Sequence, residues 1–259
     1  METTLITGAS GGIGEAFARR LAVEKHNLFL VARSRDKLSQ LCAELKAKHQ
    51  IEADFTALDL TEKDADARLF EEASVRGLNV DWLINNAGFG SFGDFAEIDL
   101  SKELAMIDLN VRVLVALTHR FLPAMRERKS GVIINVSSTA SFQPVPYMAT
   151  YAATKAFVTS FSEALWEENR LFGVEVLALC PGATETNFFS AAGTKGKLPG
   201  RTLETPEAVV EIALQAVKNN KSQIISGWAN YFVANAGNFV PKWMIARTVG
   251  KILRPRTTK

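Results

Sequence analysis

The sequence predicts an α/β fold, a doubly wound parallel sheet of about seven strands in a single domain, with a helical extension at its C-terminal end. Two observations carry that prediction. Short β-branched or apolar runs alternate with longer amphipathic stretches almost to the end of the chain. The runs themselves, "VIINV" for example, are apolar on both faces, as strands covered by helices on either side must be.

The elements follow in order. "TTLIT" from Thr3 opens the sheet and a helix over 12–24 follows it. "NLFLVA" from Asn27 leads to a helix over 37–48, and "ADFTAL" from Ala53 to one over 65–76. "VDWLIN" from Val80 precedes a long helix, 101–128. "GVIINVS" from Gly131 leads to 151–172, "VEVLALC" from Val174 to 206–219, and "SQIIS" from Ser222 is the last strand. No linker, low-complexity tract or repeat divides residues 1–259, so one domain is expected, with 228–259 as its extension.

Composition narrows the function. With 47% apolar and 22% charged residues and a formal net charge of +2, the chain lacks the strongly basic stripe of a nucleic-acid binder. Cys42 and Cys180 match no metal-ligand spacing and read as buried thiols in a reducing compartment. His26, His49 and His119 are scattered, so no metal is expected. A strand at Thr3 leaves no room for a leader, and 222–241 is too polar to span a bilayer, so the expected location is cytoplasmic.

In a doubly wound sheet, ligands bind at the carboxyl ends of the strands. After the first strand stands "TGASGGIG", where Gly8, Gly12 and Gly14, with Ser10 and Ile13 between them, form a tight turn into a helix. Such a turn lets backbone approach a pyrophosphate and seats it on the helix N-terminus. After the second strand, Ala32 occupies the place where an NAD site carries a carboxylate, and Arg33 and Ser34 follow it. An arginine there pairs with a 2′-phosphate, which favours NADP(H) over NAD(H); the plain alternative is a solvated surface charge.

The remaining strand ends are weaker signals. Asp59, followed by Leu60, is placed to accept a bond from an adenine amino group, or simply ends a strand. Asn86, Ala87 and Gly88 of "NNAG" let backbone approach a ligand closely. Pro181, Gly182 and Thr186 of "PGATET" offer a turn and a hydroxyl for a carboxamide.

Together "TGASGGIG", "NNAG", Tyr151-x-x-x-Lys155 and "PGATET" resemble the short-chain dehydrogenase/reductase family in order and distance, over roughly residues 3–227. The resemblance implies a Rossmann-type sheet and hydride transfer between a nicotinamide cofactor and a carbonyl or alcohol. It implies a catalytic set at Asn110, Ser138, Tyr151 and Lys155, with Asn110 positioning a water that relays protons to the lysine. It also implies a homodimer or homotetramer built on the helices 101–128 and 151–172.

Two tyrosines compete for the general-acid role. Tyr151 and Lys155 stand at i and i+4 on one helical face, whereas Tyr147 follows Pro146 and precedes the helix. The family's serine-to-tyrosine spacing matches Ser138 with Tyr151. Tyr147 then lines the substrate pocket or only packs. Ser137, on the opposite face of its strand from Ser138, is expected to make a structural hydrogen bond. Lys155 is expected to pull the Tyr151 pKa down toward working pH and to hold the nicotinamide ribose.

Specificity should lie in the loops 89–95, 139–148 and 187–200, which are rich in Phe, Ala and Gly and poor in charge, with 187–200 long enough for a lid. They favour an apolar ketone or secondary alcohol, whether 3-oxoacyl, steroid-like or xenobiotic. At the C-terminal end Ile245, Val249, Ile252 and Leu253 share one helical face opposite Arg247, Lys251 and Arg254. That helix packs on its own domain, on a second subunit, or weakly on an anionic membrane surface. Two rival functions remain: an NAD-dependent alcohol dehydrogenase of the same family, and a non-catalytic nucleotide sensor.

Overall fold

The computed structural model describes residues 2–192, 203–236 and 240–254. The lid expected within 187–200 therefore lies mostly outside the described residues.

Strands β1 (Thr3–Thr7), β2 (Asn27–Ala32), β3 (Ala53–Ala57), β4 (Val80–Asn85), β5 (Gly131–Val136), β6 (Val174–Cys180) and β7 (Gln223–Ile225) form one parallel sheet. Their order is β3-β2-β1-β4-β5-β6-β7. The chain builds outward from β1 in one direction, then returns to β4 and builds outward in the other. That reversal opens a crevice at the carboxyl ends of β1 and β4. The helices are α1 (Gly12–Val23), α2 (Arg35–His49), α3 (Ala65–Val75), α4 (Leu100–Ile107), α5 (Leu114–Arg128), α6 (Ala149–Asn169), α7 (Phe188–Ala191), α8 (Pro206–Lys218), α9 (Trp228–Ala236) and α10 (Lys242–Leu253).

Strand alternation sorts the core into two layers. Ile6, Leu28, Leu30 and Ile134 join Phe17 and Leu21 of α1, Leu38 of α2 and Val210 of α8. Their neighbours Leu5, Phe29, Val31 and Ile133 turn to the other face, against Leu69 of α3 and Leu117 and Phe121 of α5. Both layers are apolar, which is why the strands show no polar alternation in the sequence. Cys42 and Cys180 lie buried in the apolar interior, where burial pushes each thiol up to about 11.

The expected helix over 101–128 is not continuous. It starts at Leu100, and between α4 and α5 a π-helical turn runs over Asp108–Val113. Asn110 sits in that turn with its side chain held by neighbouring segments, and those tertiary bonds override the local helical period. α6 begins at Ala149, two residues earlier than expected, and β7 is shorter than "SQIIS".

Candidate active site

Two strand ends are stapled together at the crevice. Thr7 Oγ1 accepts from the Asn86 and Ala87 amides, both at 3.0 Å, and Asn86 Nδ2 donates to the carbonyls of Thr7 and Gly8 at 2.9 and 3.2 Å. The turn above them requires glycine. Gly8 has φ +68, and a Cβ there would stand 2.7 Å from Asn86 Nδ2. Gly12 has φ +57, and its Cβ would meet Thr186 Cγ2 at 2.8 Å. Gly14 lies beneath the turn, where a Cβ would fall 2.5 Å from Asn86 Nδ2. It serves helix packing and does not line the cavity.

The N-terminus of α1 carries no side-chain cap, and a Cβ at Gly11 would meet nothing within 4 Å. Uncapped amides over open space fit an anionic pyrophosphate.

The four residues of the expected catalytic set converge from three elements. Ser138 follows β5 and caps the 3₁₀ turn Thr139–Phe142, accepting from the Ala140 amide at 3.1 Å. Its hydroxyl is close enough to the Tyr151 hydroxyl to act against the rise of that group's pKa. Ser137 faces away, donating to the Lys155 carbonyl at 2.8 Å and meeting Thr159 Oγ1 at 2.7 Å. Lys155 Nζ donates to the Val136 carbonyl at 2.7 Å and lies 5.9 Å from the centre of the Tyr151 ring.

Asn110 Nδ2 donates to the Phe89 carbonyl and to Thr154 Oγ1 at 3.0 and 3.1 Å, and its Oδ1 accepts from the Phe89 amide at 3.2 Å. Both Nδ2 protons are thereby used within the protein. Gly88 leaves a gap nearby: a Cβ there would stand 2.9 Å from Asn110 Oδ1 and 3.5 Å from Lys155 Nζ.

The electrostatics correct one expectation. Burial pushes the Tyr151 hydroxyl up to about 12, with the Ser138 hydroxyl only partly opposing it. Burial also pushes Lys155 down, to about 8. Lys155 does not bring the tyrosine toward neutrality here. Its ammonium is turned to Val136, and loss of hydration penalises the tyrosinate more than that distant charge offsets. Tyr147 stands outside the helix with φ +66; its hydroxyl accepts from Arg254 Nε at 3.3 Å and its ring meets Phe92, so it packs outside the cavity.

At the far end Arg33 lines the cavity with its side chain 81% exposed, and its Nη1 lies 3.9 Å from Asp59 Oδ2. Asp59 is turned toward Thr61, accepting from its amide and hydroxyl at 3.0 and 2.8 Å. Burial raises the Asp59 pKa, but those bonds and Arg33 outweigh it and leave the carboxyl below its ordinary value. Neither Asp59 nor Ser34, the N-cap residue of α2, forms the cavity wall, and Leu60 is buried in the core. Sequence reasoning missed Lys37, four residues past Arg33 on α2, which does line the cavity. The available signal was the run of basic residues Arg33, Arg35 and Lys37 directly after β2.

One cavity of about 750 Å³ joins these parts. It runs from Arg33 and Lys37 over Ser10, Gly12 and Ile13, past Ala87, Gly88, Pro181, Gly182 and Thr186, to Ser138 and Tyr151. Beyond the tyrosine its walls are Phe89, Val145, Met148 and Phe188, closed by Val249, Ile252 and Leu253 of α10. The C-terminal helix thus lines the outer side of the cavity and leans on the connection between β5 and α6. A Cβ at its Gly250 would stand 3.4 Å from Pro146. Among the described residues, no cluster of three or more His, Cys, Asp or Glu is placed to hold a metal ion.

A glycine turn on the first strand of a doubly wound sheet, continuous with a serine beside a buried tyrosine and lysine, defines a nicotinamide-nucleotide oxidoreductase acting between CH–OH and C=O. The family profile for short chain dehydrogenase matches residues 2–196, and the chain belongs to that family. A very-long-chain 3-oxoacyl-CoA reductase of Bos taurus is 32% identical over 266 residues, covering 100% of this chain and 82% of the relative. A short-chain dehydrogenase from Sphingobium yanoikuyae in complex with NADPH superposes with a TM-score of 0.84 at 30% identity, covering 100% of this chain and 98% of that one. The bulky-bulky ketone specific alcohol dehydrogenase from Comamonas testosteroni gives 0.79 at 29% identity, covering 100% and 96%.

Proposed function

We propose that the protein is an NADP(H)-dependent reductase of apolar carbonyl compounds, and that 3-oxoacyl groups are the class it fits best. The observation that carries this reading is the cavity's division: a polar floor at Ser138 and Tyr151, and apolar walls from Phe89, Met148, Phe188 and α10. A substrate held there keeps its carbonyl at the hydroxyl pair and buries its carbon chain.

The residues present fit the cofactor. The uncapped α1 terminus and the side-chain-free surface at Gly11 and Gly12 suit a pyrophosphate, and Arg33 with Lys37 suits a 2′-phosphate. When bound, the nicotinamide supplies the hydride. Negative charge then builds on the substrate oxygen, where the Tyr151 hydroxyl donates a proton and Ser138 a second hydrogen bond. A tyrosine pushed up to about 12 is protonated at neutral pH and has a proton to give to the more basic alkoxide that forms, although burial makes it a weaker acid than a free phenol. Lys155, held at the end of β5, would bind the ribose hydroxyls, and the gap at Gly88 would suit a relay water between Asn110 and Lys155.

A nucleotide sensor has no use for a general acid such as Tyr151 beside Ser138 in the cavity. The same proposal includes a cytoplasmic protein that forms homodimers or homotetramers, for which Leu104 and Ile107 of α4 and Phe157 of α6 offer exposed apolar surface. The test follows NADPH consumption with 3-oxoacyl thioesters of increasing chain length, a steroid ketone and a ketose. Turnover that rises with apolar length supports the reading; turnover of the ketose alone, or equal use of NADH, overturns it.

A further inference from the structure

We propose that the outer faces of α9 and α10 dock on an anionic lipid bilayer and turn the mouth of the cavity toward it. The two helices rest on one segment, the connection between β5 and α6. α9 packs on Thr139–Phe142, with Ala234 in the cluster that includes Phe142 and Ile225. α10 leans on Pro146 through Gly250 and on Tyr147 through Arg254. Both therefore stand on the rim of the cavity at the carboxyl edge of the sheet.

What these helices show to solvent is unusual for a free surface. Trp228 is 80% exposed, Phe232 66% and Trp243 59%, with Tyr231 and Met244 also exposed. Val249 and Leu253, on the face of α10 turned to the cavity, are by contrast half-buried. Rings with an apolar body and a polar edge settle at the headgroup level of a bilayer.

Charge selects the kind of surface. After Glu211 the chain contains no Asp or Glu, while Lys218, Lys221, Lys242, Arg247, Lys251 and Arg254 follow. Four of these belong to or border α10, and the Arg247 guanidinium lies over the Trp243 ring at 5.0 Å. Cations interleaved with exposed aromatics match anionic headgroups over an acyl layer. Among the described residues no helix is long and apolar enough to cross a membrane, so the contact is peripheral.

The arrangement has a consequence for the substrate if the protein is the reductase proposed above. An apolar acyl chain is concentrated in the bilayer, and a cavity lined by the docked helix receives it without passage through water.

The test uses the full chain and vesicles without substrate, so its outcome is independent of the reductase reading. Sedimentation is compared with phosphatidylcholine vesicles and with phosphatidylcholine–phosphatidylglycerol vesicles. Binding is expected on the anionic vesicles only and should fall as salt is raised. The triple variant Lys242→Glu, Arg247→Glu, Lys251→Glu should bind at least about tenfold more weakly. Trp228→Ser with Trp243→Ser should bind more weakly too and lose quenching by brominated lipid. NADPH affinity and circular dichroism serve as folding controls. Equal binding to neutral vesicles, retained binding by the charge-reversed variant, or self-association through these helices with no vesicle binding would each overturn the proposal.

Discussion

Lys155 Nζ donates to the Val136 carbonyl at 2.7 Å, although Tyr151 stands one helical turn before it on the same face of α6. The two residues are neighbours, but the cation is anchored to the end of β5 and meets the tyrosine at 5.9 Å from its ring centre. A buried ammonium satisfied by one carbonyl is a costly arrangement, and its cost is measurable.

Stability should carry the signature of that lysine. Its pKa falls from 10.5 to about 8 on folding, so between those values the unfolded chain holds a proton that the folded chain has lost. Stability contributed by this group therefore rises with pH across the window. Below about 8 both states are charged and the penalty is constant. In urea unfolding, wild type should gain on Lys155→Met by roughly 3 kcal/mol from the bottom to the top of the window. Tyr151 is present in both chains, so its own titration cancels. Parallel stability curves would mean that the buried lysine keeps its ordinary pKa.

Tyr151→Phe removes the acid and leaves the cavity's shape nearly unchanged. kcat should fall by about 10²- to 10⁴-fold, with NADPH affinity within about threefold of wild type. Tyr147→Phe is the control, since among the described residues that hydroxyl is hydrogen-bonded to Arg254 and it lies outside the cavity. Its kcat should stay within about threefold of wild type. Equal losses in the two variants would remove the distinction between the tyrosines.

The sheet was legible because strands buried on both faces keep no polar alternation, and Ile6 and Leu5 entering opposite layers show the reason in one pair. The glycine turn, Ser138 and Tyr151 were readable because steric and spacing demands act locally. The π-helical turn at Asn110 was not, since "IDLNVRV" has an ordinary helical pattern and the distortion comes from bonds to Phe89 and Thr154. The apolar face of α10 was visible, but which surface it covers is decided by tertiary placement. The pKa of Tyr151 was misjudged because sequence shows a charge four residues away and does not show burial or where the ammonium points.

Gly88 should be intolerant of a methyl group for a reason specific to the site. A Cβ would stand 2.9 Å from Asn110 Oδ1, closer than such contacts sustain, so Gly88→Ala must displace the side chain that clamps Phe89. kcat should drop at least about tenfold in Gly88→Ala. Because Asn110→Ala removes the same clamp, the double variant should lose much less than the product of the single losses. Full additivity in the kinetic cycle would show that the two positions act separately.

Cofactor choice should depend on Arg33 and Lys37 together. Both line the far end of the cavity, Arg33 from the β2–α2 connection and Lys37 from the first turn of α2, and among the described residues no carboxylate lines that end beside them. Asp59 is the nearest acid to Arg33 among the described salt bridges, at 3.9 Å, and it is engaged by both donors of Thr61. A 2′-phosphate would replace that loose surface pair with charge-assisted hydrogen bonds, whereas a 2′-hydroxyl offers little to either cation. Titrating NADPH and NADH separately should show NADPH binding more tightly by at least about tenfold in wild type. Arg33→Ala should lose part of that margin and Arg33→Ala with Lys37→Ala nearly all of it, with NADH affinity unchanged. If NADH binds equally well to wild type, the two cations are surface charges and the substrate search belongs with alcohols and NAD.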